Sequence, residues 1–303
     1  MEALEVEALE VEVPLEVGNM FTMKKCFLLF LFICLSCNDF GSLNLISNLS
    51  KNLEEVSGTE IVEKSKLIWM LNDGGNKSKI YGVSKKGKII RDISIKAKNN
   101  DWEDLTSDEN GNLYIGDFGN NYSKRKNLAI LKIKHKDLSS SKKVHVEKIK
   151  FYYPNQSKFP PKKKKLYFDS EAFFYYKNAF YIFTKSRVKD KFGKTSLYKV
   201  PAKKGNHEAE FISEFDNGKT MDSWVTSADI SKDGSKVALL TPASVLIFTN
   251  YKSDNFLSGD VKKIALKQIS QKEGVAFKNK NTLLITDEKA HGVGGNFYEL
   301  SIN

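Results

Sequence analysis

Short runs of alternating apolar and polar residues recur along most of the chain, in pairs joined by tight turns. Such alternation, with a period of two, predicts half-buried β-strands. The turns Asn110-Gly111 and Asp233-Gly234 carry the residue types that tight β-hairpins require. The pairs cover residues 56–73, 102–117, 170–185, 227–241 and 272–287. The pattern therefore predicts five hairpins of similar design.

This repeated unit predicts an all-β fold, a β-propeller of four-stranded blades. Most hairpins are followed by two further strand-like runs, but the last is followed by only one. The run at 43–49 is predicted to supply the missing strand, so that the N- and C-terminal strands close the ring and leave no open sheet edge. We count five blades, or six if the insert at 155–167 or at 216–224 hides a weak blade. A β-sandwich has similar strand content, but it does not predict one motif at the start of every unit.

The segment before the repeats has the layout of a secretory signal. Lys24 and Lys25 precede an apolar run at 27–35 that is too short to span a bilayer as a helix. The ending Leu35-Ser36-Cys37 resembles the lipobox of bacterial lipoproteins, which implies that Cys37 is lipidated. An ordinary signal peptide cleaved nearby is the alternative.

These features divide the chain into four parts. Residues 1–22 are an acidic repeat, predicted to be a mis-assigned or disordered leader upstream of the true start at Met23. A lipoprotein signal peptide follows at 23–37, a tether at 38–42 and the propeller domain at 43–303. We therefore expect an exported protein held in the cell envelope by its N-terminal lipid, either periplasmic or surface-exposed.

The charge and the cysteine content exclude some partners and some kinds of site. The chain has 48 Lys and Arg against 37 Asp and Glu, but the lysines are spread out, apart from a run at 162–165. This spread indicates a solvated surface, so we expect no nucleic-acid partner. The three cysteines lie at Cys26, Cys34 and Cys37, which excludes disulfides and thiol nucleophiles from the propeller. We expect a monomer whose partner is an unidentified small molecule or protein.

Acidic residues recur where the first strand of a unit reaches one mouth of the ring. These are Glu103, Glu171 and Glu273, joined by Asp117 and Asp287 at the ends of second strands, with Asp73 in the matching place of the first unit. Clustered carboxylates either take up protons or bind a cation, and calcium prefers such oxygen ligands. Neutral oxygens are available from Asn72, Asn120 and Asn121. The alternative is that the acids form structural ion pairs, for example with Lys185 and Arg125.

A catalytic residue is harder to predict. His291 follows the last acidic strand end and is the candidate general base, although a solvated loop histidine is the alternative. The chain has no G-x-S-x-G, P-loop or H-E-x-x-H motif.

Several stretches together resemble a family of secreted bacterial β-propellers. They include Asp101-Trp102-Glu103-Asp104, the Gly116–Asn121 segment and the strand that ends in Asp287-Glu288. The family is similar in outline to calcium-dependent phytase-like and lactonase-like propellers, which implies the fold, export and a cation in the channel. Two functions follow: a binding or scaffold lipoprotein, or a calcium-dependent hydrolase of phosphoesters or lactones.

Overall fold

The computed structural model describes residues 42–140 and 142–303. Within these ranges the chain forms β-strands joined by turns and short 3-10 helices. The strands are β1 (Asn44–Asn48), β2 (Val56–Val62), β3 (Leu67–Asn72), β4 (Lys79–Val83), β5 (Ile89–Ser94), β6 (Trp102–Ser107), β7 (Leu113–Asp117), β8 (Ala129–Ile133), β9 (Glu147–Tyr152), β10 (Asp169–Tyr176), β11 (Ala179–Lys185), β12 (Lys194–Pro201), β13 (Gly205–Glu208), β14 (Glu210–Asp216), β15 (Ser227–Ile230), β16 (Val237–Leu240), β17 (Ser244–Thr249), β18 (Asp260–Ala265), β19 (Lys272–Asn279), β20 (Thr282–Asp287) and β21 (Asn296–Ser301). The 3-10 helices are Lys51–Leu53, Glu63–Ser65, His135–Ser139, Lys163–Lys165, Met221–Ser223 and Phe256–Ser258.

The strands form five sheets, which are the blades of a β-propeller, as the repeat count predicted. From the inner to the outer strand, blade 1 is β2-β3-β4-β5, blade 2 is β6-β7-β8-β9-β13, blade 3 is β10-β11-β12-β14, blade 4 is β15-β16-β17-β18 and blade 5 is β19-β20-β21-β1. The inserts at 155–167 and 216–224 contain no further strand within the described residues, apart from Asp216, which ends β14. The six-blade alternative is therefore wrong.

The ring is closed by its terminal strands, which confirms the sequence prediction. β1 pairs antiparallel with β21, from Asn44 opposite Glu299 to Asn48 opposite Asn296. The first strands of the five blades contact one another in a closed circuit around a central channel. At Gly58 in β2, an added Cβ would lie 2.7 Å from the backbone nitrogen of Leu105 in β6, so this close approach requires glycine.

One strand was not predicted from the sequence. β13 pairs in parallel with β9, from Gly205 opposite Ile149 to Glu208 opposite Tyr152, although the chain around it belongs to blade 3. It covers the outer edge of blade 2, which would otherwise expose unpaired backbone groups.

The core consists of apolar layers between neighbouring blades. Phe173 packs edge-on against Phe118 with ring centroids 5.1 Å apart, which joins blades 3 and 2. The next residue, Phe174, packs against Phe256 at 5.2 Å, between blades 3 and 4. Successive residues of a strand point to opposite faces, so this aromatic run fills two layers at once.

The predictions for the N-terminus fall outside the described residues. They concern the leader at 1–22, the signal peptide at 23–37 with Cys37, and most of the tether at 38–42. Among the residues that the structure does describe, no helix is long and apolar enough to cross a membrane.

Candidate functional site

A β-bulge occurs at the same place in the first strand of four blades. The pairing with the second strand shifts between Val56 and Gly58, between Trp102 and Leu105, between Ser170 and Ala172, and between Lys272 and Gly274. The bulged residues are Ser57, Glu103 with Asp104, Glu171 and Glu273. A bulge turns a side chain away from the regular alternation, and here Ser57, Glu103, Glu171 and Glu273 line one mouth of the channel. Asp104 is instead fully buried and accepts a hydrogen bond from the Ser227 hydroxyl at 3.0 Å. Blade 4 pairs without a bulge, from Ser227 opposite Leu240 to Ile230 opposite Val237.

This mouth opens into a cavity of about 690 Å³. Of the sequence-predicted residues, it collects Asp73, Glu103, Glu171, Glu273 and His291. Its other polar lining residues are Ser57, Asn121, Lys185, Arg187, Asp222, Thr226, Ser270, Gln271 and Glu288. Acids far apart in the chain thus share one space.

Asp117 and Asp287 lie outside the cavity lining because of the strand register. Asp117 pairs with Trp102 and Asp287 with Lys272, each directly before a bulge, and the residue in the matching place of blade 1 is Asn72. Asp73 is one residue further on, where side chains point to the opposite face.

Both of these acids are engaged elsewhere. Asp117 forms an ion pair with Arg125 at 2.9 Å, which realises the structural alternative considered for that residue. Asp287 is buried and accepts hydrogen bonds from the Ser270 hydroxyl at 2.6 Å and from the backbone nitrogen of Asn296 at 2.8 Å. The residue after it, Glu288, lines the cavity instead.

Three carboxylates form a tight group at the side of blades 1 and 2. One oxygen each from Asp73, Asp101 and Glu103 lies within 4.8 Å of the others. A Cβ at Gly119 would overlap the Glu103 Oε1 and lie 2.7 Å from the Asp101 Oδ2, so glycine leaves room for these oxygens. We call Asp73, Asp101 and Glu103 the acidic triad.

Burial and mutual repulsion make the triad hard to ionise in the absence of a cation. Burial, followed by repulsion from Glu171 and Asp101, raises the pKa of Asp73 to about 7. Burial also raises the pKa of Asp101. Glu103 is only 4% exposed, and burial together with the charges of Asp73 and Glu171 raises its pKa well above the ordinary value. A hard cation would relieve this repulsion, and oxygen-only donors suit such an ion.

A pair of cations also lines the cavity, namely Lys185 and Arg187. Arg187 contacts Glu171 at 2.8 Å and Asp169 at 2.6 Å, and Lys185 also forms an ion pair with Glu171. Burial alone would lower the pKa of Lys185, but the charges of Glu171 and Glu273 outweigh it and raise the pKa. Both cations lie 4.8 Å from the centre of a Trp224 ring. Glu171 is therefore neutralised by ion pairs, unlike the triad.

Blade 5 contributes two more acids. Burial raises the pKa of Glu273 well above its ordinary value, with repulsion from Glu171 adding to it. Burial and the charge of Asp73 raise the pKa of Glu288 to about 8, and Glu288 accepts a hydrogen bond from Gln271 at 2.9 Å. Both acids therefore favour the protonated form more than an exposed glutamate does.

The three asparagines proposed as neutral ligands lie in different settings. Asn121 lines the cavity, where its Oδ1 accepts a hydrogen bond from Arg187. The Asn120 Oδ1 accepts from the backbone nitrogen of Arg125 at 2.9 Å. The Asn72 Oδ1 is buried and has no hydrogen-bond partner within the described part of the chain.

Sequence reasoning did not assign Asp101, Arg187, Trp224 or Glu288 to the site. Asp101 had a readable signal, because it precedes Glu103 by two positions and the spacing of an extended strand puts both on one side. Glu288 follows a strand end by one residue, and only the register shows which of two adjacent acids faces the cavity. Arg187 and Trp224 come from loops, and no local pattern indicates that they meet.

Comparison with known proteins bears on the fold alone. No family model matches the chain, and no curated protein matches it. Among solved structures, a gluconolactonase from Xanthomonas campestris matches with a TM-score of 0.50 at 10% identity, covering 86% of this chain and 89% of that one. A virginiamycin B lyase from Staphylococcus aureus matches with a TM-score of 0.39 at 13% identity, covering 82% of this chain and 67% of that one. The likeness to the gluconolactonase structure supports the β-propeller fold.

Proposed function

We propose that the mouth cavity binds a divalent cation, calcium by its ligand chemistry, and hydrolyses a small lactone or phosphoester. The observation that carries this proposal is the acidic triad, whose oxygens lie within 4.8 Å of one another beside an open cavity. Structural ion pairing accounts for Glu171 and Asp117, but no ion pair of the described residues involves the triad.

The acidic triad residues Asp73, Asp101 and Glu103 would hold the ion, and Glu273 of blade 5, which neighbours blade 1, lines the same cavity. A bound cation of this type polarises a substrate oxygen and lowers the pKa of water. Lys185 and Arg187 add positive charge to the cavity lining, which favours an anionic group or the negative charge that develops during hydrolysis.

Two residues are placed to move protons. In lactone hydrolysis, the oxygen of water bonds to the carbonyl carbon, the ring C–O bond breaks and the ring oxygen leaves as a hydroxyl. Glu288 lines the cavity and is the candidate acid that gives this leaving oxygen its proton, since burial favours its protonated form. His291 lines the same cavity and is the candidate base that takes the proton from water.

The test is an assay of lactone and phosphomonoester hydrolysis with calcium and with EDTA. We expect turnover that requires calcium and falls at least about a hundredfold in Asp101→Asn, because the triad loses a charged oxygen. The matched control is Glu60→Gln, which changes a buried acid outside the cavity lining. Absence of turnover in the wild type under every condition would overturn the hydrolase and leave a binding module. Equal loss in both variants would overturn the assignment to the mouth.

We further propose that the propeller is exported and tethered to a membrane by a lipid on Cys37. The support is the sequence alone: a basic segment, a short apolar run and Ser36-Cys37. In a bacterial host, we expect radiolabelled palmitate to be incorporated into the wild type but not into Cys37→Ser. Equal labelling of both would reject this site.

A further inference from the structure

The mouth cavity has an apolar side as well as an acidic one. Met221, Ile269 and Val293 are 57%, 65% and 52% exposed, although large apolar side chains are normally buried. All three line this cavity. Trp224, Pro242 and Ala290 complete the apolar lining. Separate segments thus bring apolar groups to one opening, and we call these six residues the apolar rim.

The apolar rim and the acidic triad come from different blades. Met221 lies between blades 3 and 4, Ile269 lies between blades 4 and 5, and Val293 lies in the hairpin of blade 5. Blade 4 is also the blade without a bulge, and its residue in the cavity lining near the first strand is Thr226 instead of an acid. A ligand whose polar group reaches the triad would therefore extend its other end over blades 4 and 5.

We propose that the substrate carries an apolar substituent, an alkyl or aryl group of several carbons, next to its hydrolysable bond. This inference rests on the proposed function. Exposed apolar side chains gain free energy when a ligand removes them from water, and clusters of them mark binding surfaces. A small polar lactone would leave the rim exposed, whereas a substituted lactone would cover it.

The test compares δ-valerolactone with δ-decalactone, which has the same ring and an added pentyl chain. We expect kcat/KM to be at least about tenfold higher for δ-decalactone, because each buried methylene adds binding free energy. The double variant Ile269→Ser/Val293→Ser should reduce this ratio severalfold. The matched control is Ile90→Ser, at a position that is 56% exposed on β5 and outside the cavity lining. It should keep the wild-type ratio.

A binding measurement separates this inference from the proposed function. The probe is 3-pentylcyclohexanone, a carbocyclic relative of δ-decalactone that cannot be hydrolysed, with cyclohexanone as its short counterpart. Tryptophan fluorescence can report binding, since Trp69 and Trp102 are fully buried and Trp224 lines the cavity. We expect at least about tenfold tighter binding of the pentyl compound, and a loss of this difference in the double variant.

The results of these two experiments distinguish failure of the apolar substituent from failure of the hydrolase. Equal kcat/KM for the two lactones and equal binding of the two ketones would overturn the apolar substituent and leave the hydrolase standing. Preferential binding of the pentyl ketone without hydrolysis of either lactone would support the apolar ligand and overturn the hydrolase. A preference that survives in Ile269→Ser/Val293→Ser would overturn the assignment to the rim.

Discussion

Carboxylates from different blades approach one another at two levels of the central channel. At the mouth they belong to the acidic triad, and at the far end they are Glu60 of β2 and Asp229 of β15. Burial raises the pKa of Asp73 and of Asp229 alike, each to about 7. Burial, with repulsion from Asp229, also raises the pKa of Glu60 well above its ordinary value. A shifted pKa therefore does not distinguish the two ends.

The partners of the acids do distinguish them. Asp229 accepts hydrogen bonds from the backbone nitrogens of Phe277 at 2.6 Å and Ile230 at 2.7 Å. Glu60 accepts one from the Ser107 hydroxyl. The bonds from Phe277 and Ser107 tie neighbouring first strands together, whereas Asp73 and Glu103 of the triad line an open cavity. Asp73 also accepts a hydrogen bond from the backbone nitrogen of Gly74, but the triad oxygens converge beside open space. The comparison teaches that convergent oxygens beside open space, more than like charge, define a ligand site.

The largest expected effect concerns the pH dependence of stability without metal. Asp73 and Asp229 bind a proton more tightly in the folded protein than in the unfolded chain, so the folded state holds more protons between about pH 4 and about pH 7. The free energy of unfolding should therefore fall as pH rises through this window, by up to about 4 kcal/mol for each group. Urea unfolding across the window measures this slope.

Calcium should separate the contributions that the two ends of the channel make to this slope. Calcium should remove the contribution of Asp73 at the mouth and leave the contribution of Asp229. The substitution Asp229→Asn should remove the contribution of Asp229, with or without calcium. Asp229→Asn also weakens the hydrogen bonds from the backbone nitrogens, because the amide has one oxygen fewer to accept them and carries no charge, and this lowers the stability at every pH. The comparison between the variant and the wild type therefore uses the slope of the free energy of unfolding against pH, not its absolute value. Stability that rises with pH across the window would contradict the prediction.

The next effect is stabilisation by calcium. At a free calcium concentration about a hundredfold above the dissociation constant, the folded protein should gain about 2.7 kcal/mol, seen as a higher melting temperature. Glu103→Gln should lose this gain because it removes a triad charge. Glu60→Gln should retain it, although its acid is also buried. If both variants respond to calcium like the wild type, the ion does not bind at the triad.

The smallest effect tests the space beside the triad. Gly119→Ala should weaken calcium binding about tenfold, which is about 1.4 kcal/mol, because its Cβ would displace the Glu103 and Asp101 oxygens. Isothermal titration calorimetry measures the affinity, and the metal-free melting temperature checks that the variant is folded. Unchanged affinity in a folded variant would show that this space is not part of the site.

Much of the fold could be predicted from the sequence because its signals are local. Alternation and turn residues predicted the hairpins, and the missing strand of the last unit predicted the closure by residues 43–49, observed as β1 against β21. β13 could not be predicted, because its parallel pairing with β9 joins segments of different repeats.

The site was less predictable, because it depends on single-residue register. Repetition alone indicated that Glu103, Glu171 and Glu273 would share one end of the ring, and they do. The assignment of Asp117 and Asp287 to the same mouth depended on which face a strand-end side chain adopts, and a difference of one residue reverses that face.

The sequence by itself determined the repeated strand unit, the closure of the ring and the recurrence of acids at the start of the units. Each of these features depends on residue types that lie a few positions apart in the chain. Only the tertiary structure decided which acids meet in space. The bulges place Glu103 beside Asp73 and Asp101, and the packing of the Trp224 loop brings this ring against Lys185 and Arg187. The physical reason is that local spacing sets the direction of a side chain along its own strand, whereas its partners depend on pairing and packing between distant segments.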